Sequence, residues 1–125
     1  MNLGYETLQL ERIENYILII RLNRPQAANA FNTRMAEELM DLFERFQIDT
    51  DGLRALVLTG AGDKAFCAGG DLKERNGMTD EQWLRQHAIF ERMLRAIMAC
   101  PIPLIGAING VAYGGGCEML SLIHI

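Results

Sequence analysis

A glycine-rich segment that follows an apolar run and leads to an acidic residue constrains this chain more than any other part of its sequence. The apolar run, residues 103–108, predicts a buried strand, and residues 109–118 follow with three consecutive glycines and then Glu118. Glycines let the backbone approach another group closely, and amides at the start of a helix point outward with a partial positive charge. Such a segment suits an anion, or an oxygen that becomes one, beside a carboxylate that can exchange protons.

The same segment also has a simpler interpretation, because three glycines are often only a flexible turn and a Glu in a first helical turn often only complements the helix dipole. A second segment favours the catalytic interpretation. Residues 64–73 also follow an apolar strand candidate, residues 55–59, and also carry a glycine pair followed by an acid, Asp71. If the two strands are parallel neighbours, both loops lie at one edge of the sheet. Two backbone amides can then converge on one oxygen, as in an oxyanion hole.

Two strands and a helix are predicted before the first of these loops. Apolar alternation in residues 7–12, an apolar run in residues 16–22 and a turn at residues 14–15 predict a β-hairpin. A helix follows, with Asn32 or Thr33 as its N-cap. Its apolar residues recur at steps of three or four. They are Met35, Leu39, Leu42, Phe43 and Phe46.

A long helix is predicted between the two loops. Residues 79–82 form a capping box, and the helix continues to about Ala99. Its predicted buried face consists of Trp83, Phe90, Met93, Leu94, Ile97 and Met98. His87 falls near that stripe and is interpreted as a packed or partly exposed histidine. A right-handed strand–helix–strand crossover brings both glycine loops to the same place.

Three motifs follow one another along the chain. Residues 23–25 read Asn-Arg-Pro and residues 30–32 read Ala-Phe-Asn; residues 66–72 then read Phe-Cys-Ala-Gly-Gly-Asp-Leu. Residues 109–118 read Asn-Gly-Val-Ala-Tyr-Gly-Gly-Gly-Cys-Glu. In order and spacing, these motifs resemble the signatures of the crotonase family, the enoyl-CoA hydratase/isomerase superfamily. The resemblance covers residues 5–118, nearly the whole chain.

The resemblance implies an α/β fold, a crotonase-like spiral of repeated ββα units with a C-terminal helical region after it. Members of the family are considerably longer than this chain. Residues 1–120 are therefore expected to be the N-terminal part of a crotonase-like core domain, truncated before the C-terminal helical region. Residues 121–125 do not resemble the family's continuation and are expected to be a tail of doubtful origin.

The resemblance also implies a substrate and a reaction. The substrate is an acyl-CoA thioester, so that coenzyme A is part of the substrate and no separate cofactor is expected. The amides of Gly70 and Gly115 match the two oxyanion donors, and Glu118 matches the first of the two catalytic glutamates of enoyl-CoA hydratases. Glu118 would orient a water molecule and exchange protons with it during addition to the 2,3-double bond. The second glutamate would lie after Ile125, so the 125 residues alone are expected to be inactive.

Other residues of these motifs are candidates for substrate binding. Ala68 is placed to contact the adenine side of CoA through its backbone, and Lys73 is placed to approach the phosphates. Asp71 is expected to hold its loop rather than to do chemistry. Cys67 and Cys117 have no evident His base and are interpreted as small packed residues, not nucleophiles. The remaining substrate-binding candidates are Ala28, Ala30, Gly69 and Gly114.

Two alternatives to an enoyl-CoA hydratase-like lyase stay open. One is another crotonase-family reaction on CoA thioesters, such as isomerisation, dehydration or thioester hydrolysis. The other is an inactive fragment that only binds acyl-CoA. Glu118 favours hydration over isomerisation, because the resemblance implies that simple isomerases rely on a later carboxylate. It also implies homotrimers or hexamers.

Composition argues against several other classes of function. The net charge is −4 and no basic block is present, so no nucleic-acid partner is expected. No apolar run is long enough to span a membrane, so no membrane partner is expected. Three cysteines without a C-x-x-C spacing, and two histidines outside any ligand pattern, predict neither a metal site nor a disulfide framework. The expected location is therefore cytoplasmic, in a reducing compartment.

Overall fold

The first element is the antiparallel hairpin that the apolar pattern predicts. A computed structural model describes residues 3–121 and 123. Strand β1 (Leu8–Ile13) pairs with β2 (Ile17–Leu22) in antiparallel register. Glu14 and Asn15 form the turn at the predicted position, both with positive φ. Positive φ at both central residues is what a tight hairpin turn requires, because it matches the twist of the flanking strands.

Two parallel crossovers extend this hairpin into a four-stranded sheet. Strand β3 (Ala55–Gly60) lies parallel to β2, and β5 (Leu104–Gly106) lies parallel to β3, which gives the order β1-β2-β3-β5. The connections contain the helices α1 (Thr33–Ile48) and α3 (Asp80–Met98), which pack against each other. Parallel neighbouring strands need long connections of this kind. The observed order of elements confirms the predicted strand–helix–strand arrangement.

Apolar residues of the sheet and of α1 form the core. Helix α1 begins after Asn32, whose side chain accepts a hydrogen bond from the amide of Met35 at 2.8 Å. Of the two predicted caps, the structure therefore uses the first. All five apolar residues predicted on the inner face of α1 are buried. They join alternate residues of β2 and β3 in the core, namely Leu18, Ile20, Leu22, Leu56 and Leu58.

Helix α3 differs from its predicted buried face at both ends. Its predicted capping box is present, and Met93 and Ile97 are buried as expected. Trp83, however, is 40% exposed and Met98 is 64% exposed, so the prediction is wrong for both. Phe90 and Leu94 are partly buried.

The inner face of the first half of α3 is polar, which explains the exposure of Trp83. Gln86 is almost fully buried, and its amide donates hydrogen bonds to Thr33 Oγ1 at 2.9 Å and to Glu74 Oε1 at 2.7 Å. Trp83 instead stacks on the exposed His87, with 5.2 Å between ring centroids. The spacing of apolar residues in the sequence does not distinguish a helix whose first half is exposed on its apolar face from one whose apolar face is buried along its whole length.

A second, two-stranded sheet carries the glycine segments. Strand β4 (Ala65–Cys67) pairs in parallel with β6 (Val111–Ala112). A short helix follows each strand, α2 (Leu72–Arg75) after β4 and α4 (Gly115–Leu120) after β6. The two glycine loops therefore lie at the ends of adjacent parallel strands, as predicted.

The strands that carry the loops are not the ones that the sequence indicated. The prediction placed the loops directly after the strands at residues 55–59 and 103–108. In the structure β5 ends at Gly106, and a turn separates each strand of the main sheet from β4 or β6. The short strands β4 and β6 satisfy each other's backbone groups in their own ladder. A strand of two or three residues has too little pattern to be predicted.

The structure describes only part of the predicted tail. Of residues 121–125, Ser121 and Ile123 lie within the described residues, and the other three lie outside them. Within the described ranges, no helix combines the length and the apolar character that crossing a bilayer demands.

Candidate active site

The two glycine loops are in direct backbone contact. We call residues 67–71 loop A and residues 113–117 loop B. The amide of Tyr113 donates to the carbonyl of Cys67 at 3.0 Å. A Cβ added at Gly69 would lie 2.8 Å from the Tyr113 carbonyl oxygen, a distance that no real side chain tolerates. The glycines of the two loops therefore allow a backbone-to-backbone approach that any other residue would prevent.

The chain segment before α1 fixes loop A from its other side. The amide of Phe31 donates to Gly69 O at 2.7 Å, and the amide of Asp71 donates to Phe31 O at 2.8 Å. The amide of Ala68 donates to Ala28 O at 3.1 Å. Phe31 pairs in parallel with Gly70, so that its hydrogen bonds go to the neighbours Gly69 and Asp71. The amide of Gly70 therefore lies on the opposite side of loop A from these hydrogen bonds.

Several amides of the two loops have no acceptor among the described residues, and they include the two that the sequence singled out. Among the residues that the structure describes, neither Gly70 N–H nor Gly115 N–H donates a hydrogen bond, whereas those of Ala68, Gly69 and Asp71 all do. Gly70 belongs to loop A and Gly115 to loop B. Unpaired amide donors on two touching loops are available to a ligand oxygen.

Both of these glycines line one cavity of about 360 Å³, which also contains Glu118. The cavity lies between the two loops, α2 and α3. Its apolar wall consists of Phe31, Leu72, Phe90, Met93 and Leu94. Its charged or titratable residues are Arg75, His87, Glu91 and Glu118. A mostly apolar cavity with a few polar groups is typical of a small-molecule site.

The structure brings some of the predicted site residues together and separates others. Those that line this cavity are Gly70, Gly114, Gly115 and Glu118. Gly69 is buried behind them, and Ala30 is 7% exposed. Ala28 lines a different cavity of about 230 Å³, beside Lys64. Lys73 is exposed on α2 and lines neither cavity.

Asp71 holds loop A in place, as the sequence predicts. Its carboxylate caps α2 by accepting hydrogen bonds from the amides of Lys73 and Glu74, and it forms an ion pair with Arg24 at 3.0 Å. Burial by itself would raise the pKa of Asp71. The hydrogen bonds from the Glu74 amide and Arg24 outweigh that effect, so that the pKa lies below its ordinary value. Asp71 is therefore ionised at neutral pH and occupied by structural contacts.

Comparison with known proteins identifies the family. A sequence model of the family described as "Enoyl-CoA hydratase/isomerase" matches residues 12–125. The chain belongs to the enoyl-CoA hydratase/isomerase family. This confirms the resemblance carried by the three motifs.

Individual relatives agree with this assignment. The chain is 34% identical over 117 residues to a crotonyl-CoA hydratase of Syntrophomonas wolfei, an alignment that covers 94% of this chain and 44% of the relative. It is 35% identical over 114 residues to the 1,2-epoxyphenylacetyl-CoA isomerase of Escherichia coli, which covers 88% of this chain and 43% of the relative. The family thus includes proteins named for different reactions.

A solved structure confirms the fold. The enoyl-CoA hydratase from Bacillus anthracis superposes with a TM-score of 0.88 at 36% identity, over 94% of this chain and 45% of that protein. The chain therefore has the α/β crotonase fold that the resemblance implies. It spans less than half the length of the relatives that it matches.

Two asparagines support the site in this family member, and the sequence analysis assigned a role to neither. Asn29 is fully buried; its Nδ2 donates to the carbonyls of Ala61 at 3.0 Å and Ala65 at 2.9 Å. Asn109 Nδ2 donates to the same Ala65 carbonyl at 3.2 Å, and its Oδ1 accepts from the amide of Gly60 at 3.0 Å. Both side chains therefore fix the start of β4, the strand that delivers loop A. Their position in segments predicted to be loops, where Asn side chains often bond to the backbone, is the signal that could have found them.

We expect Asn29→Ala to lower the free energy of unfolding by about 1–3 kcal/mol, because it leaves buried backbone groups without partners. The Arg24 amide, which donates to Asn29 Oδ1 at 2.9 Å, loses its acceptor, and the Ala61 carbonyl loses a donor. Urea denaturation followed by circular dichroism measures the change. Asn76→Ala is the matched control, since Asn76 is exposed, and is expected to change the value by less than about 0.5 kcal/mol. Equal effects of the two substitutions would contradict this role of Asn29.

The cysteines beside the site are not nucleophiles in this arrangement. Cys67 is fully buried, and burial raises the pKa of its thiol to about 11, which leaves very little thiolate at neutral pH. Cys117 is exposed, so the prediction that it is a packed residue is wrong. It lies on the outer side of the first turn of α4, away from the buried Gly116 and Met119.

Proposed function

We propose that the protein that carries this chain is an enoyl-CoA hydratase-like lyase, which adds water across the 2,3-double bond of an acyl-CoA thioester. One observation supports the proposal above all others. Two unpaired amides from two touching loops, Gly70 and Gly115, line the same cavity as the carboxylate of Glu118. The names of the relatives agree with a CoA thioester as the substrate.

In the proposed mechanism, the thioester carbonyl oxygen accepts hydrogen bonds from both amides. Attack of water at C3 moves electrons through the double bond onto this oxygen, which gives an enolate. Because the two donors are fixed by the backbone of loops A and B, they need no reorganisation when the charge develops. A single donor of this kind typically contributes roughly 3–4 kcal/mol to transition-state stabilisation.

Glu118 acts on the water in this proposal. Its carboxylate accepts a hydrogen bond from the water molecule and takes a proton as the oxygen bonds to C3. A proton is then delivered to C2, so that the product gains OH at C3 and H at C2. A second carboxylate from the part of the protein beyond residue 125 would share this work, since two carboxylates in different environments can divide acid and base roles. The 125 residues alone are accordingly expected to bind substrate without turnover.

The remaining predicted residues would bind the CoA part of the substrate. In this proposal the loop A backbone near Ala68 and Gly69 contacts the adenine side, and Lys73 approaches the phosphates. Asp71 keeps loop A in its binding conformation through Arg24. Ala28 and Ala30 lie on the adjoining segment that loop A is bonded to. The family resemblance further supports a homotrimer or hexamer for the whole protein.

Isotope labelling tests the proposed reaction directly. The full-length protein is incubated with 2-butenoyl-CoA in H₂¹⁸O, and the product is analysed by mass spectrometry. We expect a 3-hydroxyacyl-CoA that contains one ¹⁸O in the acyl group. Release of free CoA thiol would indicate thioester hydrolysis, and conversion to a 3-enoyl-CoA without label would indicate isomerisation. Either result, in the absence of labelled hydroxyacyl product, would contradict the hydratase proposal.

A further inference from the structure

One cation on the cavity wall has no assigned role. Arg75 is the last residue of α2 and lines the same cavity as Gly70, Gly115 and Glu118. Its guanidinium lies against Gly70, because Nη2 is 3.2 Å and Cζ 3.8 Å from the position of a Cβ on that glycine. A positive charge therefore lies beside one of the two proposed oxyanion donors, on the wall of the same cavity.

The guanidinium of Arg75 forms no ion pair and no side-chain hydrogen bond with any residue that the structure describes. Other arginines near the site are used differently. Arg24 pairs with Asp71 at 3.0 Å and Arg95 lies 3.6 Å from Glu91. The side chain of Arg75 is exposed, so that leaving it unpaired costs little and its donors stay available.

The carboxylates of the cavity do not neutralise Arg75. Glu91 already has two partners, His87 at 3.2 Å and Arg95 at 3.6 Å. Glu118 also lines the cavity, but its carboxylate lies more than 4 Å from the guanidinium. The cavity thus presents a cation and the proposed catalytic carboxylate as separate groups, each free to contact a different part of one ligand.

We infer that the acyl group of the substrate carries a carboxylate, which Arg75 binds. The inference rests on the proposed function, since the position of the thioester carbonyl between Gly70 and Gly115 decides where the acyl group lies. A guanidinium presents paired N–H donors in the geometry that a carboxylate accepts. Because Arg75 touches Gly70, the carboxylate must be only a few bonds from the thioester. The substrate class is therefore short 2-enoyl-CoA thioesters that end in a carboxylate.

A matched pair of substrates tests the inference. One is a five-carbon 2-enoyl-CoA whose last carbon is a carboxylate, and the other is 2-pentenoyl-CoA, whose last carbon is a methyl group. We expect the wild-type full-length protein to hydrate the carboxylate substrate with the higher kcat/KM. Arg75→Gln should lower kcat/KM for the carboxylate substrate by roughly 10- to 100-fold, because it removes a charge-assisted hydrogen bond to the substrate. It should change kcat/KM for 2-pentenoyl-CoA by less than about 2-fold.

Two further variants separate charge from structure. Arg75→Lys keeps the charge and should retain part of the preference for the carboxylate substrate. Arg85→Gln removes an exposed arginine that lines another cavity, and should leave the preference unchanged. If Arg75→Gln lowered kcat/KM equally for both substrates, Arg75 would act at the shared thioester end, and the inference would be overturned.

A binding measurement shows whether this inference is wrong independently of whether the proposed reaction is wrong. Dissociation constants are measured by calorimetry for the saturated forms of the same two acyl-CoA thioesters, with which no hydration is possible. Tighter binding of the carboxylate form, lost in Arg75→Gln, supports the inference even if no hydration is observed and the proposed reaction fails. Equal binding of both forms to the wild-type protein overturns the inference whatever the turnover.

Discussion

Replacing Glu118 by Gln is expected to lower kcat for the hydration of 2-butenoyl-CoA by roughly 100-fold or more in the full-length protein. Gln keeps the size and the hydrogen bonding of the side chain but cannot take a proton from water. Glu118 lines the cavity beside Gly115 and is exposed to it. Substrate affinity should change little, because the proposed function assigns binding of the thioester to the loop amides and not to this carboxylate. Stopped-flow measurement of kcat, with calorimetric measurement of the dissociation constant, separates the two effects.

The competing explanation of Glu118 is a helix-end role, for which the chain offers a matched control. Glu118 lies in the first turn of α4, where a negative charge complements the helix dipole by at most about 1 kcal/mol. Glu81 occupies the corresponding first turn of α3, is exposed, and does not line the cavity. Glu81→Gln should therefore leave kcat unchanged. If Glu118→Gln lowered only the melting temperature, as Glu81→Gln could, Glu118 would be structural and the hydratase assignment would be wrong.

The sequence predicted that the two glycine loops meet, but it did not predict the short sheet that carries them. Gly70 and Gly115 were chosen from their motif positions, and the amides of both have no acceptor among the described residues. The glycine positions were predictable because the need for glycine is local: a positive φ of 91° at Gly69 disfavours other residues, and a Cβ there would lie 2.8 Å from the carbonyl oxygen of Tyr113. The roles of these amides in catalysis stay predictions.

Contacts between segments distant in the sequence were not predictable in the same way. Asn29 and Asn109 meet at the carbonyl of Ala65, although 80 positions separate them. Arg75 reaches Gly70 only because α2 is a single turn that folds back over loop A. These polar side chains contact backbone groups from distant segments, and the spacing of apolar residues along the sequence carries no information on such contacts. The pairing of β4 with β6 likewise depends on contacts between distant segments and not on a local sequence pattern.

Three glycines, at the end of β3, before β6 and in loop B, let these segments approach β4 closely. A Cβ at Gly60 would lie 2.6 Å from Ala65 O, and one at Gly110 would lie 2.4 Å from Lys64 O. A Cβ at Gly116 would lie close to the carbonyl of Cys67. In all three cases the obstacle is backbone, which cannot rotate away as a side chain can. Glycines thus pack against β4 from several neighbouring segments, and close packing of the backbone accounts for part of the glycine content of the motifs.

Gly116→Ala should therefore separate the two loops and destabilise the protein. The new Cβ would be 2.3 Å from Cys67 O, whereas ordinary contact begins at 3.4 Å, so that loop B must move by about 1 Å. Overpacking of this kind costs about 3 kcal/mol, which exceeds the gain of about 1 kcal/mol from replacing Gly by Ala in a helix. A displacement of this size should also lower kcat/KM by on the order of 100-fold.

Gly115→Ala is the control, because it adds the same methyl group one residue earlier in the same helix. Its nearest neighbour would be Phe31 Cδ2 at 3.6 Å, an ordinary contact distance, and its amide donor is retained. Since helix propensity then acts alone, Gly115→Ala should leave the free energy of unfolding unchanged or raise it by up to about 1 kcal/mol. Chemical denaturation of both variants gives the comparison. Equal stability of Gly116→Ala and Gly115→Ala would mean that α4 moves away from β4 without cost, and that the contact between the loops does not position the two amides.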